Sequence, residues 1–119
     1  MHQNKPIRLS PHDKRCIAKA LEYIDKHYRE AISSDQLSLE VGLSKPKLQA
    51  GLQIATGNTL HNYLLQVRIE KAKQLLEDTN DPIKSIAVAM GFKRPSHFIS
   101  IFKELTSLTP IEYRLRKAV

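Results

Sequence analysis

The chain has 119 residues, 41% of them apolar, which suits one domain or two very small subdomains with packed cores and excludes wholesale disorder. Nineteen Lys and Arg against twelve Asp and Glu leave a net charge of +7, the balance expected of a chain that meets a polyanion. The single Cys cannot close a disulfide within the chain, and no apolar run approaches the length needed to span a bilayer.

Residues 1–10 are polar and aperiodic and lack the apolar core of a signal peptide, so they read as a flexible tail or the remnant of a linker. With the lone Cys this points to a soluble, cytoplasmic chain. From His12 to Arg29, the residues Cys16, Ile17, Ala20, Leu21, Ile24 and Tyr28 recur at the i, i+3, i+4 spacing of an amphipathic helix. Ser33 with Gln36 three residues on reads as a capping box that opens a short helix with Leu37 and Val41 inward, ended by Gly42. Lys45 or Pro46 starts another helix, carrying Leu48, Leu52 and Ala55 on one side. After Gly57, Thr59 caps a longer helix that runs to about Asp78, with Leu60, Tyr63, Leu64, Val67, Ala72, Leu75 and Leu76 as its apolar stripe. Asp81 is the expected cap of the next helix and Pro82 its first residue.

The second half then repeats the first. Leu37, Val41, Gly42 and Leu43 lie at one constant offset from Ile86, Met90, Gly91 and Phe92. One inserted residue later, Leu48, Leu52, Thr59 and Tyr63 correspond to Phe98, Phe102, Thr109 and Tyr113. Thr109, Pro110 and Glu112 form another capping box. The repeated unit is a short helix, a Gly-bearing turn, a second helix and a capped third helix, which is what a duplicated helix-turn-helix gives. The expected fold is all-α, with about seven helices in two helix-turn-helix subdomains (11–58 and 80–119) joined by a long central helix over 59–79.

Charge placement sharpens the reading. No Asp or Glu occurs from Val41 to Ile69 or from Pro82 to Lys103. A surface that lies against phosphates excludes carboxylates, and each phosphate contact gains by releasing counterions. In a helix-turn-helix the second helix presents its N-terminal part to base edges in the major groove. Leu48 and Leu52 would brace that helix from behind in one copy, Phe98 and Phe102 in the other. The faces left free carry the candidate base readers: Lys45, Lys47, Gln49 and Gln53, and then Arg94, Ser96, His97 and Ser100. Lys and Arg donate to guanine, Gln pairs with adenine, and Ser and His serve a base or a phosphate. Ser44, Arg68, Lys93, Lys103 and Arg114 are the candidate phosphate contacts. A central helix of about 20 residues spans roughly 30 Å, close to the roughly 34 Å of one turn of B-DNA.

These residues carry a resemblance. The stretch from Ile86 to Arg114, with its Ile-Ala pair, Gly-Phe, Phe followed by Phe-Lys, Thr-Pro and Tyr-Arg, resembles the C-terminal signature of the AraC/XylS family of bacterial transcription regulators. Arg68, Ala72, Leu75 and Leu76 match that family's linker helix. The resemblance covers nearly everything from His12 to Arg116. It implies two helix-turn-helix subdomains, binding to double-stranded DNA in the nucleoid, no catalysis, and activation through contact with RNA polymerase. A small-molecule effector enters only where a separate sensor domain exists. The chain departs from the pattern at Ser107, where the family has Gly, at Ala50 and Ser100, where Arg is frequent, at Leu52-Gln53, and at Pro46 and Pro95.

Other readings compete. An enzyme needs a constellation, and none is visible: His12 with Cys16 is the single pair at metal-ligand spacing, and there is no Gly-rich phosphate loop or nucleophile elbow. No catalytic residue, metal, cofactor or membrane partner is therefore expected. A helical protein-interaction module with a basic face would lack steep salt dependence on duplex DNA. A non-specific architectural DNA binder would return no enriched sequence from random duplexes.

Overall fold

Helix ends follow the capping residues closely. A computed structural model describes residues 7–118, in the order α1 (Pro11–His27), α2 (Ser34–Val41), α3 (Lys45–Thr56), α4 (Leu60–Asp78), α5 (Ile83–Ala89), α6 (Pro95–Thr106) and α7 (Pro110–Ala118). The described residues thus form seven helices and no strand. Of the stretch expected to be a tail, 1–6 lie outside the described residues. Leu9 is half-buried, and Ser10 caps α1. The Ser10 Oγ accepts from the Asp13 N–H at 3.0 Å, and the Ser10 N–H donates to Asp13 Oδ2 at 2.9 Å. This is a complete capping box with Pro11 at the first helical position.

The other caps vary. Ser33 accepts from the Gln36 N–H, but the Gln36 amide donates to the Tyr23 hydroxyl at 3.1 Å instead of closing the box. Thr109 and Glu112 close theirs in both directions at 3.2 Å. The Thr109 hydroxyl, followed by the Thr109 backbone, holds the Glu112 carboxyl below the usual carboxylate range. The expected Asp81 cap is not made. Pro82 occupies the cap of α5 without a side-chain hydrogen bond, and the Asp81 N–H is drawn back to the Thr79 hydroxyl. Thr79 itself reaches the last turn of α4, so the link closes on that helix and leaves α5 without a polar cap.

The chain divides into two compact units, residues 7–27 with 32–63, and 28–31 with 64–118. In the first, α1, α2 and α3 pack on one another, and Cys16, Ile17, Ala20, Ile24, Leu37, Val41, Leu43, Leu48 and Leu52 are buried. The periodic residues of each amphipathic helix therefore face one core, as a 3.6-residue period requires. Gly51 sits against Ile17, where a side chain on α3 would collide.

In the second unit, Leu65, Ile69, Ala72 and Leu76 of α4 share a core with Ile86, Ala87, Met90, Phe92, Phe98 and Phe102. Phe92, Phe98, Phe102 and Tyr113 form a chain of tilted and edge-on rings with centroids 5.3 to 5.8 Å apart. Such pairs add about 0.5–1.5 kcal/mol each beyond the area they bury. The central helix is thus more than a connector: from Leu65 onward it is a wall of the second core.

The two copies also end alike. The Thr56 hydroxyl donates to the Leu52 carbonyl at 2.7 Å and accepts from the Asn58 N–H. Thr106 does the same with the Phe102 carbonyl and the Leu108 N–H. Gly57 and Ser107 follow in the left-handed conformation, at φ 74° and 66°.

Candidate nucleic-acid interface

The helix expected to face DNA in the first copy, α3, begins at a Ser44 cap and has no acidic residue in its first turn. Its Lys45, Gln49 and Gln53 are exposed while Leu48 and Leu52 lie wholly inside. The second, α6, also lacks an acid in its first turn. There Ser96, His97, Ser100 and Lys103 are exposed, with Lys93 and Arg94 just ahead of the helix, while Phe98 and Phe102 are at zero exposure. In both copies a proline takes one first-turn position and the N–H of the third helical residue is already bonded, Lys47 to the Ser44 hydroxyl and His97 to the Arg94 carbonyl, so side chains supply the donors of each face. The His97 ring stands edge-on to Phe92, with centroids 5.4 Å apart, which limits its freedom while leaving it exposed. Each face offers side-chain donors to a base edge, Gln49 and Gln53 on α3 and Ser96, His97 and Ser100 on α6, and cations to a phosphate.

The two faces differ in charge. On α3, Lys45 Nζ lies 2.8 Å from Asp35 of α2, and Lys47 Nζ lies 3.1 Å from Asp13 of α1. Ahead of α6, Lys93 and Arg94 have no ion-pair partner among the described residues. Lys103 carries its charge near Glu112 and helps to depress that carboxyl. Ser44 spends its hydroxyl on the Lys47 N–H, though at 3.4 Å the bond is weak.

Two of the expected phosphate contacts point elsewhere. Arg68 Nε donates to the Tyr28 carbonyl at 2.6 Å and Nη2 to the Glu30 carbonyl at 2.9 Å, with the guanidinium over the Phe92 ring. Burial lowers its pKa. Arg114 Nε donates to the Leu76 carbonyl at 3.2 Å. Both guanidiniums tie loops or helix ends to the second core, and orphan carbonyls at α-helix C-termini are natural partners for them. Sequence spacing could not show this, because an exposed Arg and an inward Arg at a helix edge look the same in the pattern.

Asp13 was missed as a partner of the interface. The signal was present in Ser10-Pro11-His12-Asp13, which reads as a capping box once the tail is not assumed to run to Ser10. Its buried carboxylate is held below the usual range first by the Ser10 N–H and next by Lys47. His12 Nε2 and Cys16 Sγ lie 3.6 Å apart on α1. Among the described residues no group of three or more His, Cys, Asp or Glu could hold a metal ion, and no helix is long and apolar enough to cross a membrane.

Comparison with known proteins fits this geometry. A family model described as a helix-turn-helix domain matches residues 37–116. The chain is 33% identical over 115 residues to the uncharacterized HTH-type transcriptional regulator YisR of Bacillus subtilis, covering 96% of this chain and 40% of YisR. It spans well under two thirds of the length of such curated relatives. Among solved structures, an AraC-type transcriptional regulator from Chromobacterium violaceum superposes with a TM-score of 0.83 at 28% identity, covering 92% of this chain and 97% of that one. The DNA-binding domain of AdpA, solved with a target DNA, superposes at 0.78 over 84% of this chain and 90% of its own; at 21% identity it shows the fold alone.

Proposed function

The chain belongs to the helix-turn-helix family of AraC-type DNA-binding domains, and from that premise we propose that it is a sequence-specific double-stranded DNA-binding regulator of transcription whose α3 and α6 enter successive major grooves. The observation that carries this reading is the pairing of faces within each unit. A recognition helix is braced by two wholly buried side chains, Leu48 and Leu52 or Phe98 and Phe102, and turns amides, hydroxyls and cations outward. Arg94, Ser96, His97 and Ser100 read one half-site, and Gln49 and Gln53 read the other. Ser44, Lys93 and Lys103 meet phosphates, as does Lys45, whose surface pairing with Asp35 leaves it transferable, while Arg68 and Arg114 act on the protein's own carbonyls. Activation through RNA polymerase and a place in the cytoplasm at the nucleoid go with the family reading, and no catalysis or cofactor enters it.

The test is a selection of bound duplexes from a random pool, followed by footprinting. The expected product is one enriched site with two half-sites about one helical turn apart. In that site Arg94→Ala relaxes preference in one half and Gln49→Ala in the other, each by roughly 1–3 kcal/mol of discrimination. A pool that returns no enriched sequence would convert the reading to an architectural binder. Loss of preference at the same base pairs in both variants would end the two-groove arrangement.

A further inference from the structure

The two lysines of the first recognition helix are held by carboxylates of different kinds. Asp35, the partner of Lys45, keeps 73% of its side-chain surface in water. It loses little when Lys45 leaves, because water replaces the ammonium and the pair is a screened surface contact. Asp13, the partner of Lys47, has a side chain only 6% exposed. Its Oδ2 accepts from the Ser10 N–H and meets Lys47 Nζ, and its backbone N–H is fixed by the Ser10 hydroxyl. Removing Lys47 from that carboxylate would leave a buried charge without the one cation it meets among the described residues.

Uncompensated burial of an ion outweighs what a single solvent-exposed phosphate contact returns, since much of the latter is counterion release that fades with salt. Asp13 is also the one charged residue buried among the described residues.

We propose that Asp13 withholds Lys47 from DNA, so that α3 approaches the duplex with Lys45 as its only transferable cation and reads mainly through Gln49 and Gln53. Asp13, on α1, is in this account a specificity-determining residue that touches no base. It removes a point charge that would bind any phosphate and leaves amides that discriminate among bases. The second helix has no such device: Lys93 and Arg94 stand without an ion-pair partner among the described residues. Most of the salt-sensitive affinity then resides in the α6 half. The proposal rests on the DNA-binding reading above and deepens it.

The experiment measures binding of the chain to a duplex recovered from the selection, across a salt series, and reads the slope of log K against log salt. Each phosphate contact contributes about 0.9 to that slope. Lys45→Ala is expected to flatten the slope by about 0.9, and Lys47→Ala by no more than about a third of that. Asp13→Asn is expected to steepen it by about 0.9 and to loosen base preference in the α3 half-site. Adding Lys47→Ala to Asp13→Asn should return the slope to the wild-type value.

Equal flattening by Lys45→Ala and Lys47→Ala overturns the proposal, as does an unchanged slope in a folded Asp13→Asn chain. Where Asp13→Asn does not fold, the two lysine variants decide alone. Lys93→Ala, at a phosphate contact of the α6 half, separates the two levels. A wild-type chain that binds no duplex, or a Lys93→Ala slope equal to wild type, defeats the functional reading whatever Lys47 does.

Discussion

Exchanging Ser107 for Gly should stabilise the protein, and exchanging Gly57 for Ser should destabilise it by a similar amount. The two positions are equivalent in the repeat. Each follows a threonine that closes the last turn of a recognition helix, and each has positive φ, 66° at Ser107 and 74° at Gly57. Ser107 is the one non-glycine residue with positive φ among the described residues. A Cβ built on Gly57 meets nothing within 4 Å, so packing does not enter the comparison and only the backbone does. A left-handed conformation costs an L-residue roughly 1–2 kcal/mol. Gly returns about 0.4–1 kcal/mol of that through the greater entropy of its unfolded chain. The balance is about 0.5–1 kcal/mol in favour of Gly, or roughly 2 to 5 °C in the melting midpoint of a chain this size. Calorimetry gives the midpoint. Amide exchange at Leu52 and Phe102 assigns the change to the first unit for Gly57→Ser and to the second for Ser107→Gly. A Ser107→Gly chain that melts at or below the wild-type temperature would refute the torsional account and give the Ser107 hydroxyl a role of its own.

Gly91→Ala should be far more harmful than Gly57→Ser, because its new Cβ would lie 2.5 Å from the Arg29 carbonyl oxygen, a backbone atom that cannot swing aside, at φ 93°; a loss of more than about 3 kcal/mol by urea titration is expected, and a loss within 1 kcal/mol would mean that the 28–31 segment yields. Arg68→Met should destabilise by about 2–3 kcal/mol through two charge-assisted hydrogen bonds and the Phe92 contact, discounted for partial exposure, while leaving the salt slope of DNA binding unchanged; a flattened slope in a folded variant would return Arg68 to the phosphate set. Tyr113 is pushed up to about 12, first by burial and then by its hydrogen bond to Glu77, from an ordinary 10.0. A raised folded-state pKa gives stability that is complete below pH 10 and is lost as pH climbs from 10 toward 12. Tyrosinate absorbance should therefore show a late component that disappears in Tyr113→Phe, and full ionisation of the native chain near pH 10 would contradict the burial.

The helices were legible because periodicity and caps are local. The apolar positions at 16, 17, 20 and 24, the duplicated Gly-turn, and the buried Phe98 and Phe102 all follow from side-chain spacing along a single helix, and the structure places them inside. What was not legible depends on which helix lies beside which. The window from Val41 to Ile69 has no carboxylate in sequence, yet its two leading lysines each meet one in space, supplied from α1 and α2. Arg68 and Arg114 fall at positions that suit a phosphate, but nearby carbonyls of their own unit claim them. An acid-free stretch is thus a statement about the chain, whereas an acid-free surface is a property of the packed unit. Hydration decides how much the difference matters: a carboxylate in water gives up its lysine to a phosphate with little penalty, and a buried one does not. On that criterion Asp35 leaves the α3 face open to DNA at Lys45, and Asp13 closes it at Lys47.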